Sequence, residues 1–128
     1  MKKTLLILLI NLILVGCGVS SDYVRTQNKN NLNKISLNMS KSKVLDIMGT
    51  ENFKQSDGTN ITNPFRSETF NENNKTYEVL FYYTDFKKSD GVITDDELTP
   101  IVFFDGKVVG YGWLYLKDTI KRYQIDIR

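Results

Sequence analysis

The sequence predicts an α+β domain: one or two short helices packed on a three- to four-stranded antiparallel meander sheet. Three stretches carry this expectation. Residues 41–48 (KSKVLDIM) put Val44, Leu45 and Met48 on one helical face, between a capping serine and a stopping glycine. Residues 76–84 (TYEVLFYYT) alternate apolar side chains on both faces, as a central strand does. Around Asp105-Gly106, two apolar arms form the strongest hairpin signal in the chain. A helix must cover the sheet, because a bare three-stranded sheet leaves an apolar face in water.

The chain starts with a different kind of signal. Lys2 and Lys3 precede an apolar run over residues 5–15, broken only by Asn11 and closed by Leu14-Val15-Gly16-Cys17. Charged, apolar, small, cysteine is the order of a secretory signal ending at a lipid-attachment site. It resembles the bacterial lipoprotein lipobox, which implies cleavage between Gly16 and Cys17 and fatty-acyl chains, palmitate among them, on Cys17. A membrane-spanning helix would need ~20 apolar residues, and this run is eleven long. The organisation expected is therefore a removed signal over residues 1–16, a lipidated cysteine and flexible tether over 17–34, and the α+β domain over 35–128. Gly18, and not Asp, follows the cysteine. In Gram-negative sorting that resembles an outer-membrane address facing the periplasm.

Composition excludes several chemistries. The 17 basic and 15 acidic residues give a net charge of +2, and Lys2 and Lys3 account for the whole excess. The processed chain would be balanced, and nothing points to nucleic acid. The sequence contains no histidine, and Cys17 is its only cysteine. Histidine-dependent catalysis, Cys-His pairs and ordinary zinc sites are thereby removed. No catalytic residue, metal or cofactor is expected, and the protein reads as a non-enzyme.

The domain follows in order. Residues 18–34 (GVSSDYVRTQNKNNLNK) are polar and poor in apolar groups, so they read as a tether that cannot offset its own ordering entropy. As a coil it would span about 20–25 Å. Ser40 is a good N-cap for the helix over 41–48, and Gly49 suits its left-handed stop. Met39 and Met48 read as core filler. The run Ile35-Ser36-Leu37-Asn38-Met39-Ser40, with Val44 and Met48-Gly49-Thr50, resembles the opening of the SmpA/OmlA (BamE-like) small lipoproteins. Asn38 stands where that family usually has Gly, and Asn also tolerates positive φ. Glu51 stands where Pro is common. The resemblance implies helices followed by a meander sheet, and a role in outer-membrane assembly or maintenance through envelope protein partners.

Residues 51–65 read as a loop, and 66–71 as a weak first strand. A turn at 71–75 leads into the strand over 76–84, with Tyr77, Val79, Phe81 and Tyr83 on one face and Leu80 and Tyr82 on the other. Residues 85–98 (DFKKSDGVITDDEL) read as a long, solvated acidic turn. A calcium-loop alignment from Phe86 fails at positions one and three, where Phe86 and Lys88 offer no oxygen ligand. Asp95, Asp96 and Glu97 are candidates for docking a partner.

The hairpin over 99–116 follows. In its second arm Val108, Gly110, Gly112 and Leu114 should share one face, with the 41–48 helix packed on the bare glycines. Val109, Tyr111, Trp113 and Tyr115 should share the other, where Trp113 is a second partner-binding candidate. Asp118 or Thr119 could then cap a helical turn before a last strand.

The function expected is a membrane-anchored bacterial envelope lipoprotein acting as a scaffold or interaction module, held by lipid through Cys17. Two other functions stay open: a periplasmic enzyme-inhibitor or immunity lipoprotein, and a small-ligand or calcium-binding lipoprotein.

Overall fold

A computed structural model of the chain describes residues 18–88 and 90–120. The expected signal, Cys17 and the expected last strand lie outside the described residues. Within them the fold is α+β, as the alternation patterns require. Helices α1 (Ser21–Leu32) and α2 (Lys41–Met48) come first. A small hairpin follows, β1 (Asn52–Lys54) with β2 (Asn60–Thr62). The main sheet is an antiparallel meander in the order β3 (Arg66–Glu72), β4 (Lys75–Tyr83), β5 (Leu98–Phe104), β6 (Lys107–Tyr111). Helix α3 (Trp113–Thr119) closes the described chain.

Both tight hairpins form as their sequences require. Asn73 and Asn74 sit at φ 52° and 63°, and Asp105 and Gly106 at φ 52° and 73°. Two successive positive φ values match the right-handed twist of the arms. Asn38 is at φ 66°, the positive value expected of it. Ser40 caps α2 by accepting from the Lys43 amide at 3.2 Å. Gly49 ends α2 at φ 80°, ψ 161°, a positive φ but not the left-handed helical stop expected.

Strand β4 is buried on both faces. On one face Val79, Phe81 and Tyr83 join Leu98, Val102, Val24, Ile61, Leu116 and Ile120. On the other Leu80 and Tyr82 join Ile101, Phe103, Val108, Val44 and Met48. Helix α2 therefore covers one side of the sheet, while α1, the β1–β2 hairpin and α3 cover the other. Met48 is buried and Met39 partly buried, both as core filler.

Four sequence-based expectations are corrected. First, residues 21–32 are not a flexible tether but helix α1. Ser20 accepts from the Tyr23 amide at 3.2 Å, Asp22 sits in the first turn, and Lys29 in the last. Val24 and Asn28 point inward and are fully buried. Second, residues 51–65 are not all loop, since they hold the β1–β2 hairpin. Third, the strand expected through residue 116 stops at Tyr111. Gly112 takes φ 91°, a backbone that side chains disfavour, and the chain turns off the sheet into α3. Asp118 and Thr119 therefore close a helix and do not open one.

The fourth correction concerns faces. The β5–β6 register slips between Val102 and Phe103: Phe103 pairs with Val108, but Val102 pairs with Gly110. One residue, Val109, is extra, so alternation reverses there. Val108 faces α2 as expected. Gly110 faces the other way, and a Cβ built on it would lie 2.5 Å from the Tyr115 ring of α3. Helix α2 does not pack on the glycine.

Candidate functional site

Helix α1 begins almost at once after Cys17, and its start is fastened to the domain. The Val19 amide donates to the Lys54 carbonyl of β1 at 3.0 Å, and Val19 packs on the core. The Tyr23 ring meets Phe53 edge-on, with centroids 6.3 Å apart. Two residues on, Arg25 ion-pairs with Asp22, donates to the Tyr83 hydroxyl at 2.7 Å, and lies 5.1 Å from the centre of the Phe86 ring. Lys29 reaches Asp85 at 3.1 Å. The segment after β4 is thus pinned to α1 by charge and ring contacts.

Two adjoining grooves open beside this end of α1. One, of about 860 Å³, is lined by Gly18, Ser20, Tyr23, Phe53 and Gln55. The other, of about 540 Å³, is lined by Ser21, Gln55, Asp57, Ile61, Phe86 and Val92. Gln55 and the first residues of α1 border both. Three apolar side chains on this end face solvent: Tyr23 is 49 % exposed, Phe86 53 % and Val92 38 %. Asp57 accepts from the Thr59 hydroxyl at 2.6 Å and its amide at 2.9 Å. Those two bonds, the hydroxyl's first, hold its carboxyl below the ordinary value of 3.8. The loop that joins β1 to β2 is thereby ordered at the mouth of the second groove.

The residues singled out from sequence lie elsewhere. Asp95 and Glu97 are buried, with 3 % and 2 % exposure, in a 3₁₀ turn over Asp95–Glu97. Asp95 ion-pairs with Arg66 at 2.5 Å, and the Arg66 guanidinium lies 4.2 Å over the Phe81 ring. The Glu97 carboxylate accepts from the Thr94 amide, and its backbone carbonyl accepts from the amides of Thr84 and Asp85 at 3.0 Å each. Asp96 accepts from the Thr94 hydroxyl at 2.5 Å. Residues 86–88 and 90–92 are exposed, as in a solvated turn, but from Thr94 the stretch is turned inward: Asp95 ties it to β3 through Arg66, and the Glu97 backbone carbonyl ties it to the end of β4.

Trp113 is half-buried. Its Nε1 donates to the Leu98 carbonyl at 2.7 Å, and its ring stacks 5.6 Å from Phe81. It anchors α3 and does not form an open aromatic patch. Arg66, which holds Asp95, and Trp113 both lie against the Phe81 ring, the one fixing the loop and the other α3. Cys17 lies outside the described residues.

The sequence reading missed this end of α1 because it counted polar residues. The Ser20 cap with Asp22 behind it, and Val24, Asn28 and Leu32 at i, i+4 and i+8, were the signal that could have found it. Among the described residues no group of three or more His, Cys, Asp or Glu comes together to hold a metal ion. No described helix is long and apolar enough to cross a membrane.

One family model matches the chain: Protein of unknown function (DUF3192), over residues 19–118. The match runs from Val19, just ahead of α1, to the last turn of α3. No curated protein and no solved structure matches.

Proposed function

The chain belongs to the DUF3192 family, and we propose that it is a lipid-anchored protein of the bacterial envelope that works by binding and not by catalysis. The observation that carries this reading is Leu14-Val15-Gly16-Cys17 at the end of a short apolar run. The run is too short to span hydrocarbon and ends on the chain's only cysteine, where the lipobox pattern places the acyl chains. The histidine-free composition leaves out the commonest general base. The grooves and exposed apolar side chains beside α1 support a contact surface.

Anchoring confines the domain to a thin layer of the envelope, and that raises its effective concentration for partners held in the same layer. Gly18 after the cysteine favours an outer membrane facing the periplasm. The BamE-like character of residues 35–50 favours a scaffold role in outer-membrane assembly or maintenance, with an envelope protein as partner.

The test is chemical. Mass spectrometry of protein from its native envelope should find a chain that starts at acylated Cys17, and an alkyne fatty acid should label wild type but not Cys17→Ser. An unmodified Cys17 with residues 1–16 retained overturns the reading. Affinity capture of the acylated protein tests the scaffold role, for which envelope assembly components should be recovered.

A further inference from the structure

The order at the start of α1 has a consequence for how the domain meets its membrane. Cys17 and Gly18 are adjacent, so their Cα atoms are about 3.8 Å apart. Val19 is already bonded to Lys54 and packed on the core, and Ser20 already caps α1. A coil over residues 18–34 would allow a stand-off of about 20–25 Å. With α1 folded from Ser21 and its start fastened to β1, that reach is gone.

Acyl chains on Cys17 then fix which part of the domain touches lipid. It is the end that carries the start of α1, the β1–β2 hairpin, Phe86 and Val92. This end also displays Tyr23, Phe86 and Val92 to solvent. Helical side chains lean toward the helix N-terminus, so Tyr23 leans toward the Cys17 end. Tyrosine, with an apolar body and a polar tip, is suited to the headgroup layer. We infer that this face lies flat on the lipid surface, with Tyr23 and Phe86 seated in the headgroup layer.

The inference rests on acylation of Cys17, but the two can fail separately. Since Cys17 is the only cysteine, an acylated protein carries no other thiol, and a new cysteine can be labelled uniquely. Tyr23→Cys, Phe86→Cys and Lys75→Cys proteins would each carry an environment-sensitive fluorophore. Lys75 starts β4, at the opposite end of that strand from Tyr83, about 26 Å away by the rise of eight strand residues. All three positions are exposed or half-exposed at the surface, so folding is retained, and matching melting curves verify it.

The acylated proteins are placed in vesicles of phosphatidylethanolamine and phosphatidylglycerol. Probes at 23 and 86 should shift to the blue and be quenched by headgroup-labelled lipid, while the probe at 75 should do neither. Equal, water-like emission at all three positions on fully acylated protein overturns the inference and leaves the anchor standing. A blue shift at 23 and 86 in the unacylated Cys17→Ser protein, in buffer without detergent or vesicles and growing with protein concentration, assigns the face to a second copy and likewise overturns it. A companion Tyr23→Ser/Phe86→Ser protein should stay acylated but lose protection of the 18–23 amides from hydrogen exchange on vesicles. Unchanged protection counts against the inference.

Discussion

Asn28 and Asn63 exchange amide hydrogen bonds: Nδ2 of Asn28 donates to Oδ1 of Asn63 at 3.0 Å, and Nδ2 of Asn63 to Oδ1 of Asn28 at 2.8 Å. Each amide keeps a second N–H. Asn28 spends it on the Tyr83 carbonyl at 2.8 Å, where β4 ends, and Asn63 on the Met48 carbonyl at 3.0 Å, where α2 ends. Asn28 is fully buried and Asn63 nearly so. Four parts of the fold thus meet in one satisfied polar cluster, and helix α1 is fixed by it despite having few apolar residues.

Replacing Asn28 should therefore loosen α1. Asn28→Ala removes three bonds and strands the Asn63 amide in a dry site, a cost of about 3 kcal/mol. Asn28→Asp should cost at least as much, because a carboxylate turns an acceptor toward the Tyr83 carbonyl and the Asn63 Oδ1. Urea denaturation measures both. If either variant unfolds within a few tenths of a kcal/mol of wild type, the cluster does not hold α1.

The bulge at Val109 makes Gly110 a contact site for α3. Gly110→Ala should destabilise by about 1–3 kcal/mol, since the new methyl meets the Tyr115 ring. Tyr115→Ala should relieve most of that penalty, so the double mutant should be more stable than the two single losses added together. Strict additivity in the double-mutant cycle would show that Gly110 and Tyr115 do not touch.

Tyr82 gives the opposite sign. It is fully buried, and its hydroxyl has no hydrogen-bond partner among the described residues. Burial alone pushes the hydroxyl far above its ordinary pKa. Tyr82→Phe removes an unpaired polar atom and keeps the ring, so it should be neutral or stabilising by up to about 1 kcal/mol. A drop in melting temperature of more than a degree or two would mean that the hydroxyl has a partner.

Asp57 sets a pH dependence that can be read without unfolding the protein. Its carboxyl titrates below the ordinary 3.8 because the Thr59 hydroxyl and amide bond the charged form. A depressed carboxylate contributes order above the unfolded pKa and loses it as pH falls through the lower folded value. The Thr59 amide resonance should hold steady down to about pH 4 and then move with a midpoint below 3.8. Asp57→Ala should abolish the transition, and a midpoint at or above the ordinary value would contradict the bonding.

The elements legible in the sequence were those specified by neighbours along the chain. Ser40 capped α2 because a cap needs only an amide three residues on. Asp105-Gly106 made its turn because two adjacent residues carry the positive φ values. The two-faced burial of β4 followed from alternation alone. The cap and spacing of α1 are in the sequence, but its attachment to the domain was illegible: Asn28 resembles a surface residue until Asn63, Tyr83 and Met48 come from 15 to 55 positions away to bond it or its partner. Asp95 looked solvated for the same reason, since its carboxylate reads as exposed until Arg66, 29 positions away, is seen beside it, whereas Glu97 bonds Thr94 in a local capping box.

By itself, then, the sequence determined the α+β class, the two tight turns, the capped α2 helix and the apolar stripes that make the sheet, all short-range properties of backbone and period. Tertiary structure alone decided the inward turn of Asp95, the reversal of faces at Val109 and the burial of Asn28 that fixes α1 to the sheet. Each of these depends on a polar group or a register being satisfied by residues distant in the chain. A buried amide, a buried carboxylate and a one-residue bulge have no local signature that separates them from their exposed or regular counterparts.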